Sequence, residues 1–310
     1  MSAGAISYVV GSVFGIVAIF ALFLNITVLL AMVKGKLFSN RHSPVYILSS
    51  QTIIVDSLLA TCHLLYQCPS TMLQSYLFPA SVQPTLLIIL NAIFMFCWYH
   101  NSLSHTLVAL NRLFVIVFPR LPVFTRQTTI AICVVQHLVA LSLSATAQLL
   151  LPCCDFTYSW VVFSYQYNSK PDIPNYSNEY IDLPLNASSS LISMISYSVV
   201  IAKMHYARLQ TAGIEQAGSK LLHKEYKYAI QFATMATVYT LTWIFFRACP
   251  FLIGNTSHLY LYGVVTVLAE LNLLTNSTVY LVNNNEIKKS VRQIRGLEKT
   301  VSQVTKSNAT

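Results

Sequence analysis

The sequence predicts an all-α membrane protein: a bundle of seven transmembrane helices with its N-terminus outside. Three observations predict it. The 310-residue chain is 55% hydrophobic and only 9% charged, whereas soluble domains carry roughly 25% charged residues. Seven apolar stretches each exceed the roughly 20 residues that a bilayer core needs. Basic residues are concentrated in alternate loops, as expected for loops on the cytoplasmic side of a membrane.

The apolar stretches define the predicted helices, because backbone groups in lipid must bond within their own segment. Their predicted bounds are 6–33, 44–67, 85–118, 128–151, 185–205, 227–249 and 259–282. The first stretch is too long for the apolar region of a signal peptide. We therefore expect a seven-helix domain over residues 1–282 and a cytoplasmic segment over 283–310.

The positions of the basic residues predict the orientation. All of them except Lys170 and Arg247 lie in the loops after helices 1, 3 and 5, at the neighbouring helix ends, or after helix 7. Lys and Arg mark cytoplasmic loops, so the C-terminal tail is expected inside and the N-terminus outside. The net charge of +9 is then explained by the membrane surface, and no nucleic-acid partner is implied.

Glycosylation sequons agree with this orientation. Asn175, Asn186 and Asn255 each begin an Asn-x-Ser/Thr motif in a loop that is predicted to be extracellular. We therefore expect a glycoprotein.

Four cysteines lie at the predicted outer ends of helices, where disulfides persist. They are Cys68, Cys153, Cys154 and Cys249. We expect Cys68 to pair with Cys153 or Cys154, although sequence alone does not fix the pairing. The spacing of His and Cys predicts no metal site.

Ionisable residues inside the predicted helices are candidate functional residues, since each costs about 2.5–3.5 kcal/mol on insertion scales. They are Asp56, Arg112, Arg247 and Glu270. Arg112 follows Asn111 at the inner end of helix 3. One interpretation is a snorkelling side chain at the lipid headgroups. The other is an ion pair with Glu225 at the start of helix 6, which would suit a switch between two states.

With Asn-Arg at the inner end of its third helix, the chain resembles a rhodopsin-like G-protein-coupled receptor. Asn25 in "LNITVLL" and Asp56 match positions in that family's first two helices. "NSTVY", from Asn276 to Tyr280, resembles its helix-7 motif, with Ser277 in place of proline. "NNNEIKK" resembles its short amphipathic eighth helix. Together with "NR…P" after helix 3 and "CP" after helix 2, the pattern most resembles the nematode serpentine chemoreceptors of class x.

The resemblance implies roles for three groups of residues. The switch and G-protein contact would use Asn111, Arg112, Glu225, Asn276 and Tyr280. A polar pocket for a sodium ion would use Asn25, Asp56, Asn101 and Asn272; the alternative is a hydrogen-bonded network around a protonated Asp56. The ligand pocket would use Asn91, Phe94, Trp243, Arg247 and Glu270. Arg247 and Glu270 would pair with each other, either to contact an ionic part of the ligand or as a structural salt bridge.

We therefore expect a chemosensory receptor that detects a small molecule and activates a heterotrimeric G protein. By resemblance it would lie in the plasma membrane, in sensory cilia. The alternatives are a seven-helix transporter or a ligand-gated channel, but the internal repeats of transporters are not seen. A retinal protein would need a lysine in helix 7, which has none. The sequence carries no enzyme motif for phosphate, nucleophile or zinc chemistry, and we expect no cofactor beyond the sodium ion.

Overall fold

The computed structural model describes residues 3–39, 43–170, 172–210, 216–253 and 259–294. Within these ranges, seven helical spans are long and apolar enough to cross a membrane, which confirms the predicted helix count. The α-helices are α1 (Ala3–Lys34), α2 (Val45–Cys62), α3 (Cys68–Leu73), α4 (Gln83–Val117), α5 (Arg126–Ala145), α6 (Leu183–Gln210), α7 (Gln216–Ile253), α8 (Gly263–Asn283) and α9 (Asn285–Ile294).

Three of the spans contain a π-helical turn that ends two residues before a proline. These turns are His63–Gln67, Thr146–Leu150 and Ser177–Asp182, and the prolines that follow are Pro69, Pro152 and Pro184. A proline cannot donate a backbone hydrogen bond, and its ring crowds the preceding turn. A widened turn accommodates both effects.

The π turns also move two predicted helix boundaries. The first joins α2 to α3, so that the second span runs on to Leu73 instead of ending at residue 67. The third begins the span of α6 at Ser177, ahead of the predicted start at residue 185.

A β-hairpin between α5 and α6 was not predicted from the sequence. Its strands, β1 (Phe156–Ser159) and β2 (Ser164–Tyr167), pair antiparallel with Phe156 opposite Tyr167. The Tyr158 side chain is fully buried and the Tyr165 side chain is 7% exposed. The hairpin therefore inserts its aromatic side chains into one end of the bundle, which is named the hairpin end below.

The opposite end of the bundle carries Arg112 and the amphipathic helix α9, and is named the arginine end. Asn284 caps α9 by accepting the backbone N–H groups of Glu286 and Ile287 at 3.0 and 3.2 Å. The Ile287 side chain is fully buried. The short helix implied by the family resemblance is thus present.

The outer surface of the bundle is apolar, as a lipid environment requires. On α1, Ile16, Phe20 and Phe23 are more than half exposed, whereas Phe14 and Ala18 on the other face are fully buried. Both faces of the helix are hydrophobic, which explains why its sequence shows little helical periodicity.

Small residues let α1 approach α3 closely. A Cβ atom on Gly11 would lie 3.0 Å from the carbonyl oxygen of Cys68, and one on Gly15 would lie 2.9 Å from the Cys68 sulfur. The two glycines are one turn apart in a Gly-x-x-x-Gly pattern, which permits such contacts between membrane helices.

This contact bears on the predicted disulfide. Cys68 has a free thiol beside α1, and the structure pairs Cys153 with the adjacent Cys154 instead. The predicted bridge from Cys68 to either of these residues is therefore not present, because the Cys68 sulfur is packed against Gly15.

Gly11→Val tests the α1–α3 contact. The new side chain would meet the Met72 side chain and the Cys68 backbone, so we expect a lower melting temperature for the purified protein in detergent. Gly4→Val is the matched control, because nothing lies within 4 Å of a Cβ atom at Gly4. Equal melting temperatures for the two variants would contradict the contact.

Candidate functional site

A buried polar cluster occupies the middle of the bundle. The fully buried Asp56 on α2 accepts hydrogen bonds from two amides: Asn101 Nδ2 on α4 at 2.8 Å and Asn276 Nδ2 on α8 at 2.7 Å. Ser277 on α8 donates to Asn25 Oδ1 on α1. One carboxylate thus connects three helices, and the neighbouring Ser277 connects the fourth.

The last predicted member of this cluster, Asn272, is buried one turn before Asn276 on α8. The cluster fits a sodium ion in donor type, since Asp56 supplies carboxylate oxygens and Asn101 Oδ1 has no hydrogen-bond partner among the described residues. No group of three or more His, Cys, Asp or Glu side chains that could hold a metal ion occurs in the part of the chain that the structure describes.

At the arginine end, the buried Arg112 on α4 contacts α7. Its Nη1 atom lies 3.3 Å from Glu225 Oε2. The guanidinium carbon also lies 4.7 Å from the centre of the Phe232 ring and 5.5 Å from that of Tyr228. Arg112 is therefore held by an ion pair and two cation–π contacts, and it packs inside the bundle instead of reaching outward to lipid.

Two other predicted switch residues lie near this contact. Tyr280 on α8 is buried; its ring packs edge-on against Phe232 at 6.0 Å and its hydroxyl bonds to Ser49 on α2. Asn111, next to Arg112, is fully buried. The Phe232 ring thus contacts both Arg112 and Tyr280.

At the hairpin end, a cavity lies between the helices and the hairpin. Six aromatic residues line part of its wall: Phe94, Trp98, Phe156, Tyr165, Tyr167 and Phe246. The rings of Phe94 and Tyr165 stack with their centres 3.8 Å apart. Burial raises the pKa of the Tyr165 and Tyr167 phenols well above the usual value, so both remain neutral at physiological pH.

Two polar residues in the cavity wall were not identified from the sequence. His63 Nδ1 lies 2.9 Å from Glu270 Oε1, and both side chains are buried. Asp182 Oδ1 accepts hydrogen bonds from Trp98 Nε1 and Asn186 Nδ2, each at 2.9 Å. Both His63 and Asp182 lie in π turns that precede prolines. Those prolines are the sequence feature from which the two widened turns could have been predicted.

The predicted pair of Arg247 with Glu270 does not form. Glu270 is paired with His63, whereas Arg247 bonds to Asn178 Oδ1 and interacts electrostatically with Asp182. The reason is that the π turn at the start of the α6 span brings polar groups to Arg247, and the π turn after α2 brings His63 to Glu270.

Of the other predicted pocket residues, some line the cavity and some do not. Phe94 lines the cavity. Asn91 instead donates to Thr157 Oγ1 of β1 at 3.0 Å. Trp243 is half-buried on α7 and is not part of the cavity wall.

One predicted glycosylation site is incompatible with the structure. Asn186 is fully buried, and its amide donates to Asp182 while accepting from the Tyr239 hydroxyl at 2.5 Å. A glycan therefore cannot be attached there. Asn175 is partly exposed near the hairpin end, and Asn255 lies outside the described residues.

The comparisons with known proteins agree with this geometry. Residues 16–284 match the family described as the serpentine type 7TM GPCR chemoreceptor Srx. The fold is similar to that in the crystal structure of squid rhodopsin, with a TM-score of 0.74 over 94% of this chain and 85% of that chain. The sequence identity of 14% shows a shared fold alone. No curated protein matches this chain.

Asp56→Ala tests the central polar cluster. The change leaves the amides of Asn101 and Asn276 without their acceptor, so we expect the free energy of unfolding to fall by about 1–2 kcal/mol. Thermal unfolding of the purified protein measures it. Ser57→Ala is the control, since the Ser57 hydroxyl bonds only to the Ile53 carbonyl oxygen of its own helix. An unchanged melting temperature for Asp56→Ala would contradict the role of the cluster.

Proposed function

The chain belongs to the Srx family of serpentine seven-transmembrane chemoreceptors, and we propose that it binds a small molecule in the cavity at the hairpin end and activates a heterotrimeric G protein at the arginine end. It is a multi-pass membrane protein with a receptor fold. The observation that carries the proposal is the ion pair of Arg112 with Glu225, because this contact joins two helices that also line the cavity.

The two ends are connected through α4 and α7. On α4, Trp98 lies in the cavity wall, Asn101 in the polar cluster and Arg112 at the far end. At 1.5 Å per residue, Trp98 and Arg112 are about 21 Å apart along the helix. On α7, Phe246 lines the cavity and Glu225 pairs with Arg112. A ligand that moves one helix against the other at the cavity thus acts on the ion pair.

A chain of hydrogen bonds supports this coupling. Trp98 donates to Asp182, Asn186 donates to Asp182, and the Tyr239 hydroxyl donates to Asn186. These bonds connect α4, the helical span that contains α6, and α7 next to the cavity. A ligand that bonds to Asp182 would change the partners available to Trp98 and Asn186, and through Asn186 the position of α7.

In this proposal the ion pair stabilises the resting state. Breaking the pair lets α7 move away from α4 at the arginine end, where a G protein would then bind. A ligand achieves this only by binding the active arrangement more tightly than the resting one. The central cluster around Asp56 would hold a sodium ion in the resting state, although no step of the mechanism depends on that ion.

The proposed orientation places the hairpin end outside the cell, in the plasma membrane of sensory cilia. Exposed basic side chains at the arginine end, such as Arg120 and Arg126, would then face the acidic lipid headgroups of the cytoplasmic leaflet. Glycosylation at Asn175 would follow from the same orientation.

Tag accessibility and glycan mapping test the orientation. We expect an N-terminal tag to be accessible on intact cells and a C-terminal tag to need permeabilisation. Enzymatic deglycosylation in heavy-oxygen water, followed by mass spectrometry, should label Asn175 and leave Asn186 unlabelled, because Asn186 is buried. An inaccessible N-terminal tag would reverse the orientation, and a labelled Asn186 would contradict the packing of α6.

Basal signalling tests the ion pair. In cells with matched surface expression, we expect Glu225→Ala to raise ligand-independent second-messenger output about two- to fivefold, since a partly exposed pair contributes about 0.5–1 kcal/mol. Arg112→Ala should be silent, because it removes the proposed G-protein contact as well as the pair.

Arg292→Ala is the matched control, since Arg292 is an exposed basic residue on α9 at the same end. Unchanged output in both Glu225→Ala and Arg112→Ala would overturn the switch and leave Arg112 with a packing role.

A further inference from the structure

The polar atoms that remain available in the cavity wall are mostly hydrogen-bond acceptors. Thr242 and Thr266 already donate their hydroxyl protons to the carbonyl oxygens of Val238 and Phe163, at 2.9 and 3.0 Å. Trp98 donates its N–H to Asp182. Asp182 Oδ2 is buried and accepts no hydrogen bond of good geometry from the described residues, although the Trp243 side chain also interacts with Asp182. The Tyr167 hydroxyl, which has no partner among the described residues either, is the exception, because it can either donate or accept.

His63 adds a second acceptor. Its Nδ1 atom lies 2.9 Å from Glu270 Oε1, so an ionised Glu270 fixes the proton of a neutral imidazole on Nδ1. The Nε2 atom then carries a lone pair, and it has no partner among the described residues. The ring lies against the cavity, with its centre 6.1 Å from that of Phe94.

Among the described residues, the charged groups around the cavity sum to one negative charge when both acids are ionised and His63 is neutral. The acids are Asp182 and Glu270, and the base that interacts with Asp182 is Arg247. The Arg247 guanidinium is also bonded to Asn178 Oδ1. A net charge in a buried site is costly unless a partner neutralises it. A proton on one of the two acids or on His63, or a monovalent cation in the cavity, would do so.

The aromatic wall favours the cation. Aromatic ring faces carry negative potential and attract ammonium groups, and the rings of Phe94, Trp98, Tyr165 and Phe246 surround the same space as Asp182 and His63. An apolar body attached to the ammonium group would pack against these rings.

A second pocket adjoins the cavity at the hairpin end. It shares Tyr165, Tyr167 and Phe246 with the first and extends to Arg247 and Phe251. Phe251 is 89% exposed. A ligand that enters here passes the rings of Tyr165 and Phe246 to reach Asp182.

We infer that this cavity binds a small organic cation, a protonated amine with an apolar body, whose N–H groups donate to Asp182 Oδ2 and His63 Nε2. The inference rests on the proposed function only in taking this cavity as the ligand site. The ammonium group supplies the positive charge that balances the two acids and Arg247, and the apolar body contacts the aromatic wall.

The test uses the purified full chain in detergent and three probes with one carbon skeleton: phenethylamine, phenethyl alcohol and phenylacetate. We expect phenethylamine at millimolar concentrations to raise the melting temperature, and the alcohol and the acid to leave it unchanged. Asp182→Asn and Glu270→Gln should each weaken the amine affinity about tenfold or more, since each removes a charge-assisted contact or the partner that orients it.

Glu179→Gln is the matched control, because Glu179 is an exposed acid in the same π turn as Asp182, and it should keep the wild-type affinity. The comparison of the three probes on the wild-type chain needs no variant, so it remains decisive if a variant fails to fold. Stabilisation by phenylacetate would overturn the inference in favour of an anion at Arg247. Equal stabilisation by the alcohol, or none by the amine, would also overturn it.

These measurements separate the ligand class from the receptor mechanism. Amine binding by the purified chain without a second-messenger response in cells would support the inference and contradict the proposed coupling. A second-messenger response to phenylacetate or phenethyl alcohol, with none to phenethylamine, would support the proposed coupling and contradict the inferred ligand class.

Discussion

The structure depends on the requirement that each buried backbone group find a partner inside its own helix. Where a proline removes one donor near the hairpin end, the helix widens into a π turn and continues. This happens before Pro69, Pro152 and Pro184. The widened turns before Pro69 and Pro184 contain His63 and Asp182, a histidine and an acid that line the cavity. The backbone constraint thus produces the chemistry of the site, since regular helices would direct these side chains elsewhere.

The sequence predicted the parts of the protein that regular helices position. The seven spans followed from apolar length alone. Asp56, Asn101 and Asn276 were expected to meet because of their family positions, and the amide nitrogens of Asn101 and Asn276 lie 2.8 and 2.7 Å from the Asp56 carboxylate oxygens. Arg112 and Glu225 were expected to pair because they lie at the inner ends of the third and sixth predicted helices, and they are in contact. In each case a helix with 3.6 residues per turn carries the residue to the predicted place.

The sequence did not predict the contacts of residues that are placed by irregular backbone, namely the π turns and the hairpin. Arg247 and Glu270 were expected to pair because regular helices would bring them to the same cavity, but the π turns supply each with another partner. Asn186 was assigned to a loop, and it is buried because the helical span begins earlier, at Ser177. The two strands are four residues each, too short to stand out in a sequence that is apolar nearly throughout.

The hairpin has a consequence for how receptors of this kind diversify. Three of the six aromatic residues that line the cavity, Phe156, Tyr165 and Tyr167, belong to the hairpin, while the others lie on helices that also hold the bundle together. A substitution on α4 or α7 that reshapes the cavity also disturbs the packing on which the Arg112 contact depends. A substitution on β1 or β2 can reshape it with the helices left in place. If the cavity binds the ligand as proposed, new ligand preferences can arise in the hairpin by mutation and selection while the helices that hold the Arg112 contact stay unchanged.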